Sequence, residues 1–203
     1  HGNSILKASA SIDNQSIEAD CLFSDGKNQS LWIYTADCIP ILLADLNTGN
    51  VAACHAGWRG ITNGIIKKTI KEFYKIGSDS KSIIAALGPC ISTEQFQIEE
   101  DIAEKICDSV LDFDLKKTLS SKEEKFCFCK KIHIIRDDKF PNKFLCDIRK
   151  VAEMQLIQLG LKQTNINICK NCTYKEKQNF FSWRRDKLKQ SQWSAIVSNP
   201  KEK

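Results

Sequence analysis

The chain is poor in histidine, arginine and methionine, and it has no long apolar run. Of its 203 residues only three are His, five are Arg and one, Met154, is Met. No stretch approaches the roughly 18 apolar residues that indicate a membrane-spanning helix, and no signal peptide is recognisable at the start. The first residue is His1 rather than Met, so we expect the natural chain to contain residues before it.

Positive charge is carried almost entirely by lysine. The net charge is +5, with 25 Lys against five Arg. Proteins that bind nucleic acid usually rely on arginine and cluster their basic residues on one face. Here the lysines are interspersed with Asp and Glu, so we predict a solvated surface and neither a nucleic-acid nor a membrane partner. Ten cysteines without a secretory signal are typical of reduced thiols, which predicts a cytoplasmic location.

The hydrophobic pattern predicts one domain that mixes strands and helices. Apolar strand-like segments alternate with amphipathic helical ones without a regular β-α-β period, which indicates an α+β fold with mixed sheets. We predict residues 112–143 to be irregular, with a short strand at Cys127–Cys129. A last strand is expected at 193–197. The predicted helices are 61–77, 93–110 (from the capping-box spacing of Ser92 and Gln95) and 144–160.

Two apolar segments bring potential metal ligands towards each other. The segment 31–45 contains Cys38 and is interrupted by Pro40, which cannot donate to a strand ladder, and the segment 51–55 ends at His55. If these segments pair as strands, the thiol and the imidazole come within reach of each other. With His1 they form a set of two His and one Cys. Such a set leaves a fourth position open for water or substrate, as in a catalytic zinc site.

Two residues beside these ligands are candidate catalytic groups. Asp37 could orient a metal ligand or act as a general base, or it could simply stabilise a turn. Arg59, at the start of a predicted helix, could bind a phosphate bidentately, or it could form a structural ion pair. Arg184 and Arg185 could also bind an anion. On a strand, adjacent side chains point to opposite faces, so at most one of the pair would face the site.

Several segments of this chain resemble the YfiH-like family. Members are also described as multicopper polyphenol oxidase (laccase) proteins, peptidoglycan editing factors and FAMIN-type purine nucleoside phosphorylases. The segments cover nearly the whole chain in the family's order. They are His1-Gly2, Glu18-Ala19-Asp20, Phe23-Ser24-Asp25, Thr35-Ala36-Asp37-Cys38, His55-Ala56-Gly57-Trp58-Arg59-Gly60, Leu87-Gly88-Pro89-Cys90-Ile91, Cys172-Thr173 and Phe181-Ser182-Trp183-Arg184-Arg185-Asp186.

The resemblance implies a fold, a metal and an activity. It implies a four-layer α/β/β/α architecture, a single domain over residues 1–203 that lacks the family's N-terminal segment, and a zinc held by His1, Cys38 and His55. The implied reaction is phosphorolysis of adenosine, inosine and methylthioadenosine to the base and ribose 1-phosphate, with adenosine deamination as a side activity. The family often has Gly-Arg after its double-arginine motif. This chain has 187–191 (KLKQS), which leaves a basic substrate contact from that loop open.

Three alternative functions have different requirements. A Cys38–His55 pair could serve a cysteine hydrolase or amidase that edits peptidoglycan precursors. A copper-dependent polyphenol oxidase would need many more than three histidines, so copper is the less suitable metal. A zinc-stabilised interaction protein would have little use for an open three-ligand site. Oligomeric state cannot be predicted from these patterns.

Overall fold

The computed structural model describes residues 2–11, 18–111 and 113–199. Short strands and helices make up these residues, with β1 to β5 preceding the first α-helix. The strands are β1 (Ile5–Lys7), β2 (Cys21–Phe23), β3 (Ser30–Thr35), β4 (Ile39–Asp45), β5 (Val51–Ala56), β6 (Ile83–Leu87), β7 (Gln97–Glu99), β8 (Ile135–Asp137), β9 (Lys143–Cys146), β10 (Ile166–Ile168) and β11 (Gln192–Val197). The helices are α1 (Trp58–Thr62), α2 (Ile65–Lys75), α3 (Glu100–Val110), α4 (Phe113–Thr118), α5 (Lys122–Lys131), α6 (Ile148–Gln158) and α7 (Trp183–Asp186).

A six-stranded mixed sheet forms the centre of the fold. Its strand order is β1-β2-β5-β4-β6-β10, with parallel pairs at both edges and antiparallel pairs between them. Strands β3 and β11 form a separate antiparallel ribbon, and β7, β9 and β8 form a three-stranded sheet. The predicted α+β class with mixed sheets is therefore confirmed.

Both faces of the central sheet are covered, which explains why β4 and β5 are apolar except for Asp45 and His55 near their ends. One face packs against a helical layer that includes α2, and it buries Ile41, Cys54 and Phe73 in the larger core. The other face packs against the β3–β11 ribbon around a smaller core with Leu31, Ile33 and Ala53. Helices, central sheet and ribbon thus supply three layers of the expected α/β/β/α order.

The helix boundaries differ from the prediction where local signals were misread. The first predicted helix is divided into α1 and α2 at Gly64, whose φ of 80° lies in the left-handed region. The second begins only at Glu100, because Ser92 precedes a short 3-10 turn and makes no side-chain capping bond. Residues 127–129 lie in α5 rather than in a strand. None of the described helices is long and apolar enough to cross a membrane.

Candidate functional site

The pairing of β4 with β5 brings Cys38, just before β4, and His55, in β5, to one pocket. Pro40 in β4 pairs with His55 in β5, and Cys38 comes two residues before Pro40. Both side chains line one pocket. The pairing on which the sequence prediction depended is therefore present.

Asp20 orients the His55 imidazole. The His55 backbone N–H donates to the Asp20 carbonyl oxygen at 2.7 Å, and His55 Nδ1 lies 3.8 Å from Asp20 Oδ1. Burial lowers the pKa of His55, and the Asp20 charge offsets only part of this effect. The imidazole is therefore neutral near pH 7, which is the form that binds a metal. A carboxylate beside one ring nitrogen is a common support for a metal-bound histidine.

The same carboxylate holds the start of the described chain. The Gly2 N–H donates to Asp20 Oδ1 at 2.8 Å. A side chain at Gly60 would not fit beside this segment, because its Cβ would lie 2.8 Å from the Gly2 carbonyl oxygen. Gly2 and Gly60, both within motifs that carry the family resemblance, thus pack against each other.

The third predicted ligand, His1, lies outside the described residues. Among the described residues, no group of three or more His, Cys, Asp and Glu side chains is arranged to hold a metal ion. Two of the three predicted ligands, Cys38 and His55, are in this part of the chain and share the pocket. The complete ligand set stays a prediction.

Cys38 is not poised as a free nucleophile. Burial, followed by the neighbouring charge of Asp37, raises the pKa of the Cys38 thiol to about 12. A catalytic cysteine instead needs a lowered pKa, because the thiolate is the reactive form. This environment counts against the cysteine hydrolase.

Asp37 connects three segments around the pocket. Its φ of 84° is rare for a residue other than glycine, and it bends the chain between β3 and β4. The Thr173 hydroxyl donates to Asp37 Oδ1 at 2.7 Å, and the Arg184 backbone N–H donates to Oδ2 at 2.6 Å. The Ile91 N–H donates to the Asp37 carbonyl oxygen at 3.0 Å. Both carboxylate oxygens therefore carry hydrogen bonds that fix the pocket wall.

The pocket has a cavity volume of about 930 Å³, which falls in the range of small-molecule sites. Four basic side chains line it: Arg59, Arg184, Lys187 and Lys189. Arg59 is exposed, and its guanidinium carbon lies 4.4 Å from the centroid of the Trp58 ring. Helix α1 has only five residues, so attraction of an anion depends on these cations rather than on a helix dipole.

Arg184 and Arg185 occupy different environments, although both lie in α7. Arg185 donates to the carbonyl oxygens of Thr173, Tyr174 and Phe180 and pairs with Asp186. Arg184 lines the pocket and donates to the Gln97 carbonyl oxygen at 3.1 Å. Among the described residues Arg184 forms no ion pair. One arginine of the pair faces the site as expected, but the reason is helical geometry and not strand alternation.

Sequence reasoning missed several residues of this pocket. It did not assign Phe96 or Trp183, and it left the contribution of Lys187 and Lys189 open. Phe96 lies in a segment that was predicted to be helical, so its position in the pocket wall could not be predicted. The position of Trp183 was signalled only by its motif, since an aromatic residue before two arginines has no distinctive periodicity.

Similarity to known proteins agrees with this geometry. A family model described as "Multi-copper polyphenol oxidoreductase laccase" matches residues 1–198. The chain belongs to this family. The YfiH-like resemblance is confirmed as well, because proteins of that name are among its relatives.

Two relatives of similar sequence are named purine nucleoside phosphorylases. The purine nucleoside phosphorylase slr1573 of Synechocystis is 37% identical over 182 residues, which are 89% of this chain and 68% of the relative. The purine nucleoside phosphorylase YfiH of Escherichia coli is 30% identical over 187 residues, which are 92% of this chain and 66% of the relative. The chain thus spans about two thirds of the length of these family members.

Two solved structures share the fold. YlmD from Geobacillus stearothermophilus matches with a TM-score of 0.79 at 22% identity, covering 98% of this chain and 71% of that one. The hypothetical protein YfiH of Bacillus licheniformis matches with a TM-score of 0.77 at 23% identity, covering 98% and 71%. These similarities establish the architecture alone.

Proposed function

We propose that the protein is a purine nucleoside phosphorylase that converts adenosine, inosine and methylthioadenosine to the free base and ribose 1-phosphate. The observation that carries this proposal is one pocket in which two potential metal ligands lie beside four basic side chains. Phosphorolysis needs an anion held against the anomeric carbon, and a pocket rich in cations favours that anion. The names of the relatives support the same activity.

The donor set suits zinc better than copper. A thiolate and neutral imidazoles are ordinary zinc ligands, and three of them leave one position open. His1 is adjacent in sequence to Gly2, and Gly2 and His55 both contact Asp20, so we include His1 with Cys38 and His55 as a ligand. Bound zinc would supply a Lewis acid that stabilises negative charge. Three histidines in the sequence are too few for a multicopper centre.

The remaining residues have distinct proposed roles. Arg59 and Arg184 bind phosphate, since a guanidinium can contact an oxyanion through two parallel N–H groups. Asp37 positions the wall rather than acting as a base, because both of its oxygens already accept hydrogen bonds from Thr173 and the Arg184 backbone. Adenosine deamination remains a predicted side activity. All ten cysteines are unpaired, which supports the proposed cytoplasmic location.

Metal analysis combined with a phosphate-dependence assay tests the proposal. We expect stoichiometric zinc in the purified protein and release of adenine from adenosine only when phosphate is added. The Cys38→Ala variant should lose both the zinc and about 100-fold or more in kcat/KM. The matched control is Cys127→Ala, because Cys127 is exposed on α5 away from the pocket. It should keep metal and activity.

The opposite results would point to a different function. Adenine release that does not depend on phosphate would indicate a hydrolase. Absence of zinc together with a Cys38 thiol that reacts readily with alkylating reagents would favour the Cys38–His55 amidase. Inosine formed from adenosine without phosphate would establish the deaminase activity separately.

A further inference from the structure

Trp183 presents a large aromatic surface inside the pocket. Its side chain is 49% exposed although it lines the cavity. Of the other aromatic rings in this wall, Phe96 is buried beneath the Arg184 guanidinium, and Trp58 lies beneath the guanidinium of Arg59. Tyr34 is 63% exposed but packs against Trp193, with the ring centroids 5.2 Å apart. The Trp183 indole is therefore an exposed ring of this wall that packs against no other aromatic ring among the described residues.

The backbone that carries Trp183 is held rigidly. Helix α7 has four residues and is too short to be stable alone. The Ser182 side chain caps it by accepting a hydrogen bond from the Arg185 N–H at 3.2 Å, and Asp37 accepts the Arg184 N–H at 2.6 Å. The Arg185 guanidinium fastens the same turn to the carbonyl oxygens of Thr173 and Tyr174. Hydrogen bonds to Asp37 and to the loop at Thr173 and Tyr174 thus fix the backbone of α7.

An exposed indole on a fixed backbone suits a flat ligand, because less conformational entropy is lost when the two rings stack than on a mobile segment. Its surroundings indicate which flat ligand. Lys187 Nζ lies 5.9 Å from the Trp183 ring centroid, and Arg184 is the residue after Trp183. An aromatic surface and basic groups that could bind an anion are therefore adjacent. A nucleoside that reacts with phosphate needs this combination, with the base on the ring and the phosphate beside the cations.

We propose that Trp183 is the platform on which the purine base of the substrate stacks, and that it determines the preference for aromatic bases. This inference rests on the proposed function. Stacking recognises the ring and not its exocyclic groups. Adenosine, inosine and methylthioadenosine should therefore bind with similar affinity, and the affinity should be lost for the ribose without its base.

Calorimetric titration with adenosine in the absence of phosphate separates binding from reaction. Trp183→Ala should weaken adenosine binding about tenfold or more, whereas Trp183→Phe should stay within about threefold of wild type because it keeps a stacking ring. In steady-state assays Trp183→Ala should raise the KM for adenosine and leave the KM for phosphate unchanged. The control is Trp32→Phe, since Trp32 is 55% exposed on the β3–β11 ribbon and does not line the pocket.

Each possible result decides between the two proposals. If folded Trp183→Ala, checked by circular dichroism, binds adenosine as wild type does while phosphorolysis continues, the platform is wrong and the phosphorylase stands. If wild type binds adenosine through Trp183 but releases no adenine with phosphate, the platform stands and the phosphorylase fails. Absence of nucleoside binding to the wild-type protein overturns both.

Discussion

Arg184 and Arg185 are adjacent in α7, yet their guanidinium groups have different partners. Arg185 is fixed by three carbonyl oxygens and by Asp186, whereas Arg184 contacts one carbonyl oxygen and the Phe96 ring. A guanidinium with unused donors in a pocket is available to an anionic ligand. The two residues therefore form a natural pair of test and control.

Replacing Arg184 by Gln should raise the KM for phosphate about tenfold, since a hydrogen bond to a charged group is worth about 1.5–3 kcal/mol. The KM for adenosine should change little. Arg185→Gln should instead lower the thermal midpoint, because the turn of α7 loses its attachment to the Thr173 carbonyl. Steady-state kinetics and thermal unfolding of both variants measure this contrast. A larger effect of Arg185→Gln than of Arg184→Gln on the phosphate KM would contradict it.

At this scale the sequence predicts residue types better than environments. That Cys38 and His55 lie at one site could be anticipated, because the apolar segments around them are strand-like and joined by a short turn. The distinction between Arg184 and Arg185 could not, since it depends on the rotation of a four-residue helix held by Asp37 and by the loop at Thr173. The role of Asp20 beside His55 likewise depends on the pairing of β2 with β5.

Helix α5 begins with a capping box that the sequence prediction overlooked. The Ser121 side chain accepts a hydrogen bond from the Glu124 N–H at 3.1 Å, and Glu124 returns a bond to the Ser121 N–H at 3.0 Å. Ser121→Ala should lower the free energy of unfolding by about 1 kcal/mol. Ser92→Ala should have a much smaller effect, because Ser92 makes no capping bond. Urea denaturation of both variants tests this; equal losses would refute it.

These two serines show why the boundaries of elements were harder to predict than their existence. Both lie three residues before Gln or Glu, so the local signal is the same. Tertiary pairing decides where the helix begins. Residues 97–99 pair with β9 as strand β7, so α3 begins only at Glu100. In contrast, α5 has no competing strand partner among the described residues, and its local capping signal is realised.

Asp45 fixes the turn after β4 through several hydrogen bonds. Its carboxylate is almost fully buried and accepts bonds from Thr48 and Ser78 at 2.8 and 2.6 Å. Burial alone raises the pKa of Asp45, but hydrogen bonds from Ser78, Ser82 and Asn47 outweigh it, so the net pKa lies below the usual value of 3.8. The ionised form is therefore favoured in the folded state.

A pKa that is lower in the folded state contributes stability above the unfolded value, and this contribution is lost as the pH falls. Asp45→Asn should therefore lower the free energy of unfolding by about 1–3 kcal/mol near pH 7. The difference from wild type should shrink below about pH 4. Urea denaturation between pH 2.5 and 7 measures it. Asp101→Asn, at an exposed ion pair on α3, is the control and should change stability little at any pH.

At the scale of the whole molecule, charge connects composition to the proposed reaction. The chain carries a net charge of +5, and four of its basic side chains line one pocket in which the Asp37 carboxylate already accepts two hydrogen bonds. This arrangement concentrates anions near the site. Added salt weakens the attraction between the pocket cations and an anion, because the Debye length falls to about 8 Å at physiological ionic strength. A neutral nucleoside does not respond to the same field.

The KM for phosphate should therefore rise as potassium chloride is increased from about 20 to 300 mM, whereas the KM for adenosine should stay nearly constant. The rise should be smaller in Arg184→Gln, which removes one of the pocket cations, and unchanged in Lys105→Gln, whose lysine forms an exposed ion pair on α3. Initial rates at several ionic strengths provide the measurement. Equal salt dependence of the two KM values would show that the pocket cations do not hold phosphate. The anion would then have to be bound by hydrogen bonds from neutral groups.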